Sequence, residues 1–460
     1  MSAPISSPSP APLKILISGA GIGGSALAFW LSHLGHSVTI LERHPVLRTS
    51  GLQLDLRGPG IAVLDRMGLA DAFRAKSAPE QGFRVVDKTG RQRASFLVNK
   101  TGKGLQGFTT EWEIMRGDFC TMLCEAAMGK GGKYVFNSSV ESFKDKRGKD
   151  RTGSDGGGGV EVRLADGKTE TYDLLVGADG IGSNTRKMML GEPLSGDDTG
   201  FRPLNGQYIG YVTIPKPLKS DANSDPSSQY MATMYMIPGG RGIMMRRHSP
   251  AQVQAYLFCR SDSERLRNAS LTRDVRTQKE ALRDIFKGAG WESDEIVAAL
   301  MQENDFYLER MGMVKLPSGG WSSKGGSVVL LGDAAHCPSA NTGMGTTSAL
   351  VGAYVLAGEI GKHCPAHPGE GTKGGLEMAL KEYERKYRPF VEEVQKGIEE
   401  DKGMRKYLMP QSAFGIEVMN RLMGLASFLN LNVLGRFVLR EDIKWELPEY
   451  KGLMGVKESK

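Results

Sequence analysis

Cysteine is scarce: five residues in 460, at 120, 124, 259, 337 and 364, with no CxxC pair. Disulfide scaffolds are dense in cysteine, so the chain reads as a cytoplasmic type of protein with reduced thiols. His363, Cys364 and His367 lie together in a Pro/Gly-rich connection, but a fourth ligand is lacking and no metal site is expected. Long apolar runs are missing as well. The most apolar late stretch, Leu422–Gly435, has 14 residues including Asn430 and Asn432, whereas a bilayer span needs about 20 apolar residues. No membrane span is expected. The start, MSAPISSPSPAP, has no charged n-region or apolar h-region and reads as a disordered leader over 1–13 rather than a signal peptide. Charge of one sign is also limited, with 59 Lys and Arg against 52 Asp and Glu. The basic run Lys144–Arg151 has no interleaved aromatics and passes into the glycines of 153–159, so it reads as a solvated loop and not as a nucleic-acid surface.

Glycine is abundant instead, at 60 residues. Its lack of a period of three excludes collagen, and mixed charge at 24% excludes wholesale disorder. The question is where so much glycine is needed.

The chain opens as a βαβ unit: strand Lys14–Ser18 (KILIS), helix Ile22–Leu34, strand Ser37–Glu42 (SVTILE). A short strand (LQLDL) and a helix come next over 52–68, then two strands over 82–98, a helix over 117–128, and a buried strand LLVGA at 174–178. Between Gln207 and Arg260, alternating runs separated by Pro/Gly turns predict a mostly antiparallel sheet. Leu271–Leu300 reads as helical, Phe306–Val314 and Ser327–Leu331 as strands, and the chain after Gly345 as mainly helical, with Pro389 and Pro410 as kinks or breaks.

Three strand ends carry the chemistry. Gly19-Ala20-Gly21-Ile22-Gly23-Gly24 contains GxGxxG between a strand and a helix, the context a dinucleotide site requires. Gly19 serves the tight turn, Gly21 the approach of a pyrophosphate, and Gly24 the packing of helix on strand. Glu42, 23 residues after Gly19, ends the second strand where an acid accepts hydrogen bonds from a ribose. This motif alone fits NAD or FAD. Asp179, in Gly177-Ala178-Asp179-Gly180, is either an ordinary Asp–Gly turn or a ligand-facing carboxylate. Gly332-Asp333-Ala334-Ala335-His336 supplies Asp333 to a polyol, and the helix opened by Gly343-Met344-Gly345 offers free N–H groups to negative charge. A single-site NAD dehydrogenase has no need of that second ligand-facing end; a long cofactor spanning both has.

The order GAGIGG…GADG…GDAAH resembles the FAD-dependent aromatic-hydroxylase family, the fold of p-hydroxybenzoate hydroxylase, over about 14–360, with likeness to tetracycline-degrading and fungal secondary-metabolism FAD monooxygenases. The resemblance implies an α/β fold: a discontinuous Rossmann-like FAD-binding domain (14–80, 110–200 and 305–365), an inserted, mainly antiparallel β-sheet substrate domain (81–109 and 201–304), and a helical C-terminal region (366–460). It implies that the glycine loop and Glu42 hold ADP, that Arg43 lies beside the adenosine and Arg116 touches the cofactor from a helix start. Asp179 then supports FAD and the nicotinamide, Asp333 binds the ribitol, and the Gly343–Gly345 helix start faces the flavin pyrimidine. By analogy with the tetracycline enzymes, Asp55 contacts FAD and Arg48 contacts NADPH. The implied reaction takes hydride from NAD(P)H, NADPH favoured, and passes one oxygen of O2 through a flavin C4a-hydroperoxide to an aromatic or polyketide-like small molecule. An oxidoreductase of the same fold that inserts no oxygen is the alternative, and monomer or dimer is left open.

Alignment with the family suggests Tyr211 and Arg241 as substrate contacts. No catalytic base is assigned, because His336 in this motif reads as structural. Met231, Met234, Met236, Met244 and Met245 either line an adaptable pocket or fill core. Two departures stand out. The family often has proline just before the glycine turn, whereas here Pro338 comes earlier and position 340 is Ala. The paired Trp motif of flavin halogenases is absent, which argues against halogenation.

Overall fold

The computed structural model describes residues 12–48, 51–98, 110–146, 159–218, 226–366, 374–398, 410–429 and 443–454. Most of the expected leader, much of the basic run, the glycines at 153 and 156–158, and His367 lie outside the described residues.

Strands are numbered in chain order. A five-stranded parallel sheet runs β17 (Val328–Leu330), β11 (Leu174–Gly177), β1 (Lys14–Ser18), β2 (Ser37–Glu42), β7 (Lys133–Phe136). Its strands are apolar on both faces because both are covered. Ile15 and Ile17 pack toward helices α1 (Ile22–His33), α4 (Arg116–Gly129) and α10 (Gly345–His363). Leu16, Leu41, Leu175 and Val328 point the other way, onto an antiparallel sheet of β8 (Val140–Asp145), β9 (Val160–Leu164) and β10 (Thr169–Tyr172).

A seven-stranded sheet forms the second unit: β16 (Phe306–Val314), β12 (Phe201–Pro215), β15 (Gln252–Arg260), β14 (Arg241–Arg247), β13 (Met231–Ile237), β4 (Gly82–Val86), β5 (Gln92–Leu97). Side chains alternate between its faces. Val212, Ile214, Ile243, Met245, Ala255 and Leu257 form the back face, under α6 (Glu264–Thr272), α7 (Val275–Phe286) and α8 (Ser293–Gln302). Ile209, Tyr211, Met244, Tyr256, Phe258, Met311 and Met313 form the front face. Between the units lies a two-stranded ribbon, β3 (Gln53–Asp55) with β6 (Glu113–Met115). Four short helices complete this part of the chain: α2 (Pro59–Arg66), α3 (Ala70–Ala75), α5 (Asn184–Leu190) and α9 (Asp333–His336).

One boundary differs from the sequence reading. That reading places Phe306–Val314 with the cofactor region, but β16 pairs along β12 and is an edge of the seven-stranded sheet. The helical C-terminal region packs on both units. Helix α11 (Gly375–Gln395) runs through Pro389 and buries Tyr383, Tyr387 and Phe390 in the cofactor-unit core. Residues 443–454 return to the same core, and the Tyr450 ring fills the notch at Gly358, where a Cβ would lie 2.2 Å from it. Helix α12 (Ala413–Phe428) goes instead to the front of β4, β5 and β13, with Ile416 and Ala426 on Val85, Phe96 and Met236.

Candidate active site

The three motifs meet because their strands are parallel neighbours. Ser18 pairs with Leu41 on one side and Gly177 on the other, and Gly177 pairs with Leu330. Each strand therefore ends at the same edge, and the residues at or just beyond those ends (Gly19, Glu42, Asp179, Gly332) form one row. Gly19 has φ +109°, and a Cβ there would lie 2.5 Å from the Ala178 oxygen; a Cβ on Gly24 would lie 2.0 Å from the Gly19 oxygen. Both positions need glycine. At Gly21 nothing lies within 4 Å of a Cβ, so the start of α1 is open. Ile22 and Gly23 form its first turn, and no side chain caps its free N–H groups.

Glu42 accepts from the backbone N–H of Ala20 (3.2 Å) and of His44 (3.1 Å), which orders the carboxylate while lone pairs stay available for hydroxyls. Arg43 is exposed beyond it. The Arg48 guanidinium stacks on the Tyr307 ring, 5.3 Å from its centroid, and burial together with Arg116 and Arg43 lowers its pKa. Arg116 starts α4 with its N–H on the Leu52 oxygen (3.0 Å).

Asp179 is engaged inside its own loop. One oxygen accepts from the Ser183 hydroxyl (2.5 Å), the other from the Thr185 N–H and hydroxyl (3.0 Å each). The carboxylate thus orders the start of α5. Nearby Arg186 is 1% exposed, pairs with Asp198 (2.6 Å) and donates to the Ala334 oxygen (2.9 Å). It ties the second motif to the third, a role the sequence did not disclose. Asp333 opens α9 after Gly332, and burial raises its carboxyl pKa against the pull of Arg116 and Arg186. Gly343 and Met344 lead into α10, whose first residue Gly345 has open space where a side chain would be. The departure at 338–340 has a visible form: Ser339 takes φ +70°, and its buried hydroxyl has no partner among the described residues. The same loop bonds to the sheet through Asn341 and Gln207 (3.1 Å).

His336 is caged by Trp321, Tyr383 and Tyr387, and burial holds its pKa to about 3. It is a neutral packing residue, as expected. His363 lies 3.5 Å from Glu359, and among the described residues no cluster of His, Cys, Asp and Glu could hold a metal. All five cysteines are free thiols, and no helix among the described residues is long and apolar enough to cross a membrane.

Tyr211 lies on the front face, its ring against Tyr256 (5.1 Å, 75°) and Tyr307 (5.9 Å, 16°). Arg241 does not. It shares strand parity with Ile243 and Met245 on the back face, and its guanidinium donates to the Pro238 oxygen (3.0 Å) and the Ile285 oxygen. The front-facing arginine of β14 is Arg246. It reaches Glu80 (2.8 and 2.9 Å) and Glu113, while Gln53 bonds to the same two carboxylates and to Gln254 and Tyr256. Asp55 pairs with buried Arg57 and accepts from the Thr110 hydroxyl (3.0 Å); burial nonetheless raises its pKa. These residues fasten the β3–β6 ribbon to the sheet. The methionines are dispersed: Met244 in the front-face cluster, Met234 and Met236 under α12, Met245 in the back core.

Two helix starts without side-chain caps, an ordered carboxylate at the end of β2 and a desolvated carboxylate after β17 lie along one row. Such a row at the ends of parallel strands is the arrangement of dinucleotide-binding folds. The chain belongs to the FAD binding domain family, whose model matches residues 12–397. It is similar to the FAD-dependent monooxygenase asL4 of Sarocladium schorii, 44% identical over 455 residues, covering 96% of this chain and 99% of that protein. The flavin-dependent monooxygenase eupH of Phoma sp is 39% identical over 452 residues, covering 96% and 98%. The crystal structure of tetracycline destructase Tet(51) matches with TM-score 0.68 and 27% identity, covering 96% of this chain and 100% of that one. The chain is accordingly an FAD-binding, flavin-dependent monooxygenase.

Proposed function

We propose that the protein uses NAD(P)H, with NADPH favoured, and O2 to hydroxylate, or insert oxygen into, an aromatic or polyketide-like small molecule held between the 338–344 loop and the front face of the seven-stranded sheet. Bound FAD supplies the redox chemistry: it takes hydride and activates O2. The chain's own residues position it. The α1 start and Glu42 hold the ADP part, with Arg43 beside the adenosine. Asp333 takes ribitol hydroxyls, which would satisfy a carboxylate otherwise short of donors. The α10 start favours negative charge on the ring. Asp55 and Arg116 steady the cofactor from the ribbon and the start of α4. Arg48 offers positive charge to NADPH, and Asp179 supports that side by ordering its loop. Substrate lies on the front face beside Tyr211.

One observation carries this reading: the aromatic and apolar front face, through Tyr211 and Tyr307, lies beside Asp333, where the third motif begins. The reading is tested by screening phenolic and polyketide compounds for stimulated NADPH oxidation and O2 uptake by FAD-loaded protein. A product gaining one atom from labelled O2 is the expected result. Stimulated oxidation with no label in the product would favour the non-inserting oxidoreductase.

A further inference from the structure

We propose that the protein has a second binding site, for a small aromatic carboxylate, in a cavity on the back of the seven-stranded sheet. The site does not depend on the reaction proposed above.

The cavity is built from the sheet upward. Its floor holds Arg84 of β4, Thr233 of β13, Met245 and Arg247 of β14, and Val253 of β15. Thr233 pairs with Arg84 on one side and Met245 on the other, so one cross-strand row carries all three to the same face. Met245 and Val253 belong to the back core, so this face is opposite the one that carries Tyr211. Helices α7 and α8 cover part of it, and the connection between them brings Trp291 and Glu292 to the cavity as one wall. The β4–β5 turn at 88–90 supports that wall. Trp291 takes φ +49° with its N–H on the Lys88 oxygen (2.8 Å), and a Cβ on Gly90 would lie 3.3 Å from its ring. Tyr235 braces the same ring edge-on (5.8 Å, 67°). The space enclosed is about 580 Å³, the size of a small-molecule site.

The charge in this cavity is one-sided. Arg84, Lys88, Lys216 and Arg247 line it, and Glu292 is the single carboxylate among the lining residues. Glu292 is already bonded to Lys216. Arg247 is 6% exposed and donates from Nη1 to the carbonyls of Lys216 (2.6 Å), Ser249 and Pro250 (3.3 Å each). Its buried Nε has no acceptor among the described residues. Half-buried Arg84 donates from Nε to the Thr233 hydroxyl (2.7 Å) and makes no ion pair among the described residues. Burial lowers the pKa of both guanidiniums, and Glu292 opposes this at Arg84 from a distance. Water satisfies an exposed arginine, but a nearly sealed one beside a second desolvated cation is costly, and an anion entering the cavity offsets that cost.

The geometry selects the kind of anion. With Nε fixed on Thr233, Arg84 keeps its two terminal nitrogens, the edge that can take both oxygens of a carboxylate in parallel. Trp291 adds aromatic surface at the wall, and Met245 with Val253 an apolar floor, which suit a ring. A bare inorganic anion would leave that apolar part wet, and a neutral ring would leave the guanidiniums without a counter-charge. An aromatic carboxylate serves both.

The test is calorimetric titration of full-length FAD-loaded protein with 2-naphthoate, its uncharged amide and inorganic phosphate. Wild type is expected to bind 2-naphthoate and to bind neither the amide nor phosphate comparably. Arg84→Met should weaken 2-naphthoate about 10- to 100-fold, and Arg84→Lys should restore part of the loss. Trp291→Gly, which suits the positive φ and removes the ring without straining the turn, should weaken it about 5-fold. Tyr211→Ala, on the front face, should leave the affinity unchanged, and the Arg84 and Trp291 variants should retain FAD. No binding of 2-naphthoate by wild type, equal affinity for the amide or for phosphate, an affinity unchanged in Arg84→Met, or one lost in Tyr211→Ala would overturn the proposal.

Discussion

Two pairs of carboxylates lie where the seven-stranded sheet and its border meet the cofactor unit, and they are treated in opposite ways. Glu80 and Glu113 close around one arginine, Arg246, with Gln53 taking remaining lone pairs. Glu309 and Asp333 lie close enough for their like charges to interact, with no cation bonded to either among the described residues. Burial alone therefore says little about what an acid does. A pair closed on a cation fastens two parts of the chain together, whereas a pair without one holds its protons to higher pH.

The largest effect should come from breaking the satisfied side. Arg246→Met leaves two buried carboxylates without their cation and should cost about 3–5 kcal/mol, read as the denaturation midpoint of the FAD-loaded protein. Adding Glu80→Gln and Glu113→Gln should recover much of the loss. If the single variant were as stable as wild type, the contrast between the pairs would collapse.

Two pH experiments come next, with opposite signs. Glu309 is raised from 4.5 to about 7, so its favourable contribution is present below about 4.5 and lost as pH rises to about 7. Relative to Glu309→Gln, wild type should lose stability across that interval. His336 is lowered from 6.5 to about 3, so its contribution is present above about 6.5 and lost as pH falls toward 3. His336→Phe should flatten the acid side of the stability curve only. Parallel curves for either variant and wild type would remove the corresponding assignment.

The smallest effect belongs to Arg241→Ala. Its guanidinium serves two carbonyls at the partly exposed border of the back face, so a loss of roughly 1 kcal/mol or less is expected, with KM for the substrate unchanged. A raised KM would return Arg241 to the substrate site.

The opening βαβ unit is legible to within a residue, because apolar strands and a glycine turn are local signals. The row of motif ends is legible once the strands are read as parallel. Strand parity in GIMMRR is not: Met244 and Met245 are both apolar, so alternation cannot say which arginine faces forward, and Arg241 stands out in the sequence where Arg246 faces the front. The network of Gln53, Glu80, Glu113, Arg246 and Gln254 draws on segments about 200 residues apart, with no local signature. β16 reads with the cofactor region because its partner β12 begins about a hundred residues earlier. Glu309, a lone acid in an alternating strand, looks like any solvent-facing position until the sheet is assembled.

Because β1, β2, β11 and β17 all end at one edge, the long excursions at 43–132 and 178–327 leave the parallel sheet and rejoin it without disturbing the row. This makes the framework modular. Excursions can be lengthened, trimmed or exchanged between relatives while the glycine turn, Glu42 and Asp333 keep their spacing. Chimeras that swap 201–314, from β12 through β16, should therefore trade substrate range as a block and keep flavin binding, which gives engineers a natural pair of splice points.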